Sequence, residues 1–553
     1  MFLSHDKEYT VQQSDFSNIP GCPVAYWVNP NLIKDFVEGI PFSEIGFPKV
    51  GMQTSNNDKY LRSWMEINYQ EFKNAELKKW IKYIKGGTFR RWYGNLEYVV
   101  WYNGTPSFIL QQKNARVLPE SELEVLKCTW TDLGTTKFSC RIAPIDSFHD
   151  ISGHCFYPST ENYNYLLGLA NSSIFQIIVD LLNSSLHYQV GDIARVPVLI
   201  DHKNEVDRLV VENTELSKVD WDSFETSWDF NRHPLLTTVS KNHMLSDGIS
   251  NIDLAECYMC WKNECNEWFN KLKSNEEELN RIFIDIYGLQ EELTPEVEDK
   301  DVTVRKADLQ RDVKSLISYA VGCMFGRYSL STEGLAYAGG EWDSSKYAGF
   351  IPDDDNVIPI TDQKYMDDDI VERFCEFLVD VYGEKSLETN LDFIANALGG
   401  KGSTSREIIR NYFLNDFFKD HCKIYQKRPI YWLFDSGKQN GFKALVYMHR
   451  WDKNSIGRVL VYLHKIQEKY EIEVRAIDAI LEHMTDKRQQ AAEEQRRDHL
   501  LKQIVEIKEY DERLDHMTNE YIDIDLDDGV KVNYEKVQTD RNGTKFKILA
   551  PIK

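Results

Sequence analysis

Basic and aromatic residues crowd one stretch of the chain. Between residues 73 and 95, Lys73, Lys78, Lys79, Lys82, Lys85, Arg90 and Arg91 face a single acidic residue, Glu76, and Trp80, Tyr83, Phe89, Trp92 and Tyr93 are interleaved with them. Cations of this density can neutralise phosphates, and arginine can also read guanine edges. Gly86 and Gly87 allow a backbone to come close. The bland alternative is a basic surface hairpin with its aromatics in a core. A second candidate lies just upstream, in Gly51-Met-Gln-Thr-Ser-Asn-Asn-Asp58. Small and amide side chains in a turn can reach base edges, and Gln and Asn suit adenine.

Other chemistry-bearing residues point to ordinary structure. Cys257, Cys260 and Cys265 provide three thiols in an aromatic, helical stretch, and no second pair follows at the spacing a closed four-ligand zinc site needs. His149, His154 and Cys155 follow no familiar ligand pattern, so no metal is expected. The Asp353–Asp355 and Asp367–Asp369 runs read as solvated faces or helix N-termini rather than magnesium sites. In Gly399-Gly-Lys-Gly-Ser403, Ala395 stands at the first glycine of a P-loop spacing and Gly402 follows Lys401 where Ser or Thr belongs. A helix C-cap and turn fits better.

The elements that must position these residues follow from apolar periodicity. Residues 96–102 are strand formers ahead of an Asn103-Gly104 turn, and residues 23–28 suit another strand. Residues 163–185 suit one buried helix. Residues 205–290 read as mostly helical and 291–310 as a linker. Helices are expected near 313–324, 367–382 and 405–420, with strands near 429–434 and 442–448. Leu463, Ile466, Tyr470, Val474, Ile477, Leu481 and Met484 recur at three- and four-residue steps. Leu500, Leu501, Ile504, Val505, Ile507 and Leu514 form a second set after a polar break at 485–499. Together they predict a long helical hairpin over 455–518, with a strand-like tail at 520–553.

Composition sets the outer bounds. At 553 residues with 42% hydrophobic and 12% aromatic content, the chain can build several cores. A net charge of −23 weighs against a generally DNA-gripping surface and against anionic membranes, so any DNA contact must be local. Ten cysteines scattered through a long chain suggest reduced thiols and a cytoplasmic setting. Residues 1–10 are polar and charged, with no apolar targeting core.

Several motifs carry a family resemblance. Gly51-Met-Gln-Thr-Ser-Asn-Asn57 is similar to the Gly-Leu-Gln-Thr-Gly-Asp-Asn motif that opens the target-recognition domain of the PglX family, the adenine-specific DNA methyltransferases of BREX phage-defence systems. Lys85-Gly-Gly-Thr-Phe-Arg-Arg-Trp-Tyr-Gly-Asn95 looks like a second family segment. Leu166–Ser172 followed by Val196-Pro197 resembles the exit of such domains. Asp220–Asp229, Gly322–Tyr328, Lys427–Phe434 and Asp525–Tyr534 extend the resemblance from about residue 20 to about residue 540. Ser55 and Asn56 depart from the Gly-Asp of the first motif.

The resemblance implies S-adenosylmethionine-dependent N6-adenine methylation at a short asymmetric site. It implies a mixed α/β (α+β) fold: a DNA-binding target-recognition domain at 1–205, a helical connector at 206–310, an α+β domain at 311–452, and a helical hairpin with its tail at 453–553. Gln53, Thr54 and Asn57 are the expected base or backbone contacts and Lys85, Arg90 and Arg91 the expected phosphate contacts. Lys82, Trp92 and Tyr93 stand behind them, the two aromatics as readily core as contact. Methylation of adenine uses an Asn/Asp/Ser-Pro-Pro-aromatic loop to hold the flipped base. No two of the 16 prolines are adjacent. No catalytic residue and no bound cofactor are therefore expected here. S-adenosylmethionine belongs to the complete enzyme, whose methyltransferase half would precede residue 1. Partners implied are double-stranded DNA, that missing or separate methyltransferase domain and other defence proteins. Three rivals stand beside this reading: a specificity subunit acting in trans with a methyltransferase chain, a protein-interaction platform, and a degenerate product with no role, against which the well-kept core periodicity weighs.

Overall fold

The computed structural model describes residues 17–23, 26–74, 76–104, 107–134, 137–183, 185–236 and 252–552. The polar start at residues 1–10 lies outside them, as do two residues of the strand expected at 23–28. The fold is mixed α/β with helix predominating. Two compact units emerge. One comprises residues up to 62, 75–223 and 263–307; the other comprises 63–74, 224–262 and 308 onward.

The first unit holds two four-stranded sheets. In one, Pro48–Lys49, Gly153–Phe156, Lys127–Thr131 and Cys140–Ala143 lie side by side, all antiparallel. The two inner strands, Gly153–Phe156 and Lys127–Thr131, are buried on both faces, so their sequences do not alternate. In the other, Tyr98–Trp101, Trp80–Ile84 and Ser147–His149 are successive neighbours, the last pair parallel. Trp80, Ile81, Tyr83 and Ile84 are buried there, so Trp80 and Tyr83 of the basic stretch belong to the core.

Helices complete this unit's core. The single helix expected over 163–185 is two, Tyr163–Ala170 and Ser173–Leu182, bent by 71°. The break has a polar cause. Ser172 caps the second helix by accepting from Phe175 N–H at 3.2 Å. The Asn171 side chain accepts from Cys140 N–H and donates to Cys140 C=O, both at 2.9 Å, pairing an edge strand as backbone would. Leu166, Leu169, Ile178, Phe269, Leu272 and Phe283 share one buried cluster. Val297, Val302 and Val304 join it. Three valines of the stretch expected to be a linker are thus core, while most of its charged residues stay exposed.

The second unit is built on a three-stranded antiparallel sheet, Ile358–Ile360, Lys443–Tyr447 and Tyr431–Asp435 in spatial order. Helices Leu309–Met324, Ile370–Tyr382, Leu387–Leu398, Ser405–Asn415 and Phe417–Ile424 belong to it. The hairpin is present as Ser455–Leu481 and Lys487–Thr518. Leu463, Ile466, Tyr470, Ile477, Leu500, Ile504, Ile507 and Leu514 are buried, as their spacing predicts, whereas Leu501 and Val505 of the second set are exposed. The polar break is shorter than expected. Helix resumes at Lys487, capped by Asp486, and the polar run to residue 499 is a solvated helical face. Residues 520–552 form a helix, Gly529–Lys536, with isolated bridges instead of a strand.

Candidate nucleic-acid interface

The loop opening at Gly51 is held by backbone on two sides. Met52 N–H donates to His149 C=O at 2.7 Å, and Ile151 N–H to Met52 C=O at 3.1 Å. Gln53 exchanges both backbone bonds with Arg116, at 2.8 and 2.9 Å. Gly51 is required by contact: a Cβ there would lie 2.3 Å from the Asp150 carbonyl oxygen. Thr54 is buried, and its hydroxyl donates to Asn57 Oδ1 at 2.6 Å. Ser55 takes a left-handed φ of 58°, the conformation a glycine adopts without steric cost. Asn56 then caps the turn Asn57–Tyr60 by accepting from Lys59 N–H at 3.1 Å. The departure at Ser55-Asn56 therefore keeps a tight turn. Asn57 is exposed, and with its Oδ1 engaged by Thr54 its amide N–H groups face no acceptor among the described residues. Gln53 is half-buried.

The Lys85–Thr88 loop is pinned from below. Gly86 N–H donates to Ser152 Oγ at 3.3 Å, Gly87 N–H to Thr131 Oγ1 at 3.1 Å, and Asn95 Nδ2 to Thr88 C=O at 2.9 Å. A Cβ on Gly86 would meet the Ser152 carbonyl oxygen at 2.4 Å. Lys85 itself is half-buried, its ammonium 5.9 Å from the Tyr98 ring and without an ion-pair partner among the described residues. Lys82 is paired with Asp146 at 2.9 Å.

The two arginines expected on phosphates are placed otherwise. Arg90 and Arg91 are 7% and 8% exposed. Arg90 bonds Asp220 Oδ2 at 2.7 Å and the carbonyls of Tyr93, Thr303 and Ser217. Arg305 supports Asp220 from the other side at 3.0 Å. Burial pushes the Asp220 carboxyl up, but Arg305 and Arg90 together outweigh it and hold it below the usual carboxylate range. Arg91 meets Glu276 Oε2 at 2.8 Å, and Trp92 Nε1 donates to Glu276 Oε1 at 2.7 Å. Burial keeps the Glu276 carboxyl above its ordinary value, with Arg91 and Trp92 opposing it. Trp92 and Tyr93 are buried. Both guanidinium groups are buried against carboxylates rather than presented at the surface, which is where a phosphate would have to meet them.

Sequence reasoning overlooked other cations. Lys59, Lys113 and Arg116 are exposed and, with Lys85, take no carboxylate partner among the described residues. Arg116 donates one guanidinium N–H to Gly51 C=O. The Lys113-Asn-Ala-Arg116 turn, with Asn114 at a φ of 65°, carries a weak sequence signal: two cations about an asparagine suited to left-handed backbone. The remaining candidates take structural positions. Asp369 caps helix Ile370–Tyr382 and is bidentate to Arg410 at 2.6 and 2.8 Å. Gly399, at a φ of 66°, closes helix Leu387–Leu398. Cys257 and Cys265 are buried and Cys260 exposed. Among the described residues no group of three or more His, Cys, Asp or Glu side chains is placed to hold a metal ion, and no single helix is long and apolar enough to cross a membrane.

No protein-family model matches the sequence. Two proteins of stated activity do. The adenine-specific methyltransferase PglX of Lacticaseibacillus casei (strain Zhang) is 40% identical over 571 residues, covering 99% of this chain and 46% of that protein. The adenine-specific methyltransferase BrxX of Escherichia coli O9:H4 (strain HS) is 32% identical over 565 residues, covering 95% of this chain and 45% of that protein. The chain thus spans just under half the length of each.

Proposed function

We propose, from the premise that this chain is homologous along nearly its whole length to the adenine-specific methyltransferases PglX and BrxX, that it supplies DNA target recognition within a site-specific adenine-N6 DNA methyltransferase of a BREX phage-defence system, working in the cytoplasm. The observation that carries this reading is the Gly51–Asn57 loop. It is bridged by backbone on two sides, presents the Asn57 amide to solvent, and is joined in its unit by exposed or half-exposed cations without carboxylate partners among the described residues: Lys59, Lys85 and Lys113. Fixed amides suit base edges, and flexible ammoniums suit phosphates. Thr54 orients Asn57 from beneath rather than touching DNA, and Gln53 flanks it.

The methyl donor for such an activity is S-adenosylmethionine. The glycine segment Gly399–Ser403 does not fit it: it ends a helix and follows no strand, so it lacks the strand-to-helix turn that cradles such a cofactor. No catalytic step is assigned to this chain.

The test is binding of the 553-residue chain to random duplex DNA over a salt series, beside Lys85→Ala and Asn57→Ala. The expected result is salt-dependent binding, with a slope shallower by about one for Lys85→Ala. A chain that binds no duplex at low salt overturns the reading. That outcome would favour a protein-interaction platform instead, for which the exposed Val461, Ile472, Leu501 and Val505 on the hairpin arms speak.

A further inference from the structure

We propose that Arg116 is a specificity-determining residue that reads a guanine in the target site. The inference rests on the reading of the Gly51–Asn57 loop as a DNA-contacting element. Gln53 and Asn57 are amides, suited to the paired donor and acceptor of adenine. Guanine presents two acceptors, O6 and N7, and calls for a planar double donor, which neither residue supplies. Arg116 does. Its backbone is locked to Gln53 by both N–H···O bonds, so its Cα is fixed beside the loop. One guanidinium N–H is donated to the Gly51 carbonyl, which tethers the fork beside the loop, and its other N–H groups meet no acceptor among the described residues. The side chain is exposed and has no carboxylate partner among the described residues.

Nearby acids are already committed. The Asp150 carboxylate accepts from Tyr83 Oη at 2.7 Å and from Ser152 N–H and Oγ at 2.9 and 2.6 Å. Lys49, Lys78 and Lys82 are each satisfied by a carboxylate. An arginine tethered beside a loop of amides can offer two parallel donors to the O6 and N7 of one guanine edge, which a lysine ammonium cannot. The unanchored ammoniums of Lys59, Lys85 and Lys113 suit phosphates.

The test is selection from a duplex pool carrying a randomised stretch, using the full chain, Arg116→Ala, Arg116→Lys and Lys85→Ala, each first checked for an unchanged melting curve. The wild type is expected to enrich a motif containing guanine. Arg116→Ala should lose the preference at one guanine position only and bind the enriched duplex about ten- to a hundredfold more weakly. Arg116→Lys should keep the salt slope and still lose that preference. Lys85→Ala should weaken all sequences alike. An unchanged motif in Arg116→Ala, or a uniform loss with a shallower salt slope, overturns the assignment while leaving the recognition reading intact. A wild type that binds duplex but enriches no motif overturns the assignment as well. A wild type that binds no duplex defeats the recognition reading itself.

Discussion

Replacing Arg91 by alanine separates a structural role from a DNA-binding one. Arg91 and Glu276 are side chains 10% and 2% exposed, joined at 2.8 Å. Removing the arginine strands the Glu276 carboxylate in the core with only the Trp92 indole N–H, at 2.7 Å, to compensate it. Leaving one partner of a buried pair uncompensated costs about 3–5 kcal/mol. Stability of a domain is about 5–15 kcal/mol, so this is a large share. Glu276→Gln added to Arg91→Ala removes the stranded charge while keeping an acceptor for Trp92. The double variant should therefore be more stable than the single by about 1–3 kcal/mol, the cost of an unsatisfied buried group. Urea unfolding followed by tryptophan fluorescence measures each midpoint, and duplex binding is measured beside it under folded conditions. A strongly lowered midpoint for Arg91→Ala, partly restored in the double variant, is expected. A wild-type midpoint combined with weaker, less salt-sensitive DNA binding would refute the reasoning and return Arg91 to the phosphates.

Two further predictions concern pH and the loop. Burial pushes His233, His421 and His449 of the second unit down to about 3. Their folded values lie below the unfolded value of about 6.5, so their stabilisation is present above that pH and is lost as pH falls toward 3, each costing about 2 kcal/mol by pH 5. Burial raises the Glu225 carboxyl in the same unit and opposes this. Circular dichroism melts between pH 7 and 5 should show stability falling on acidification, and a flat profile would contradict these buried neutral imidazoles. Gly51→Ala places a methyl 2.3 Å from the Asp150 carbonyl oxygen and 2.4 Å from that of His149. Overpacking of this kind costs about 1–3 kcal/mol. Duplex affinity should fall with the melting temperature, and an unaffected variant would mean that the loop is not held as described.

Much of the architecture was legible because helical periodicity is local. Three- and four-residue spacing alone locates the hairpin at Leu463–Ile477 and Leu500–Leu514, since the buried face of an α-helix repeats every few residues. The doubly buried strands Lys127–Thr131 and Gly153–Phe156 show in the sequence only as short β-like runs between turns over residues 121–158, because a strand covered on both faces has no alternation to fix its bounds or partners. The break at Asn171-Ser172 was invisible for a similar reason: its cause is a bond to Cys140, which tertiary packing brings alongside. The Gly51–Asn57 loop was visible in its residue types, Gln53 and Asn57 among small neighbours. Which cations surround it was not. A count along residues 73–95 records seven positive charges and one negative, but ion pairing acts through space. Arg90 finds Asp220 at a separation of 130 residues and Arg91 finds Glu276 at 185. The sequence by itself determined how many charges the chain carries and which side chains could speak to DNA. Only the folded chain decided which of those charges are already answered by a carboxylate, because desolvation and pairing depend on neighbours that the fold alone brings within 4 Å.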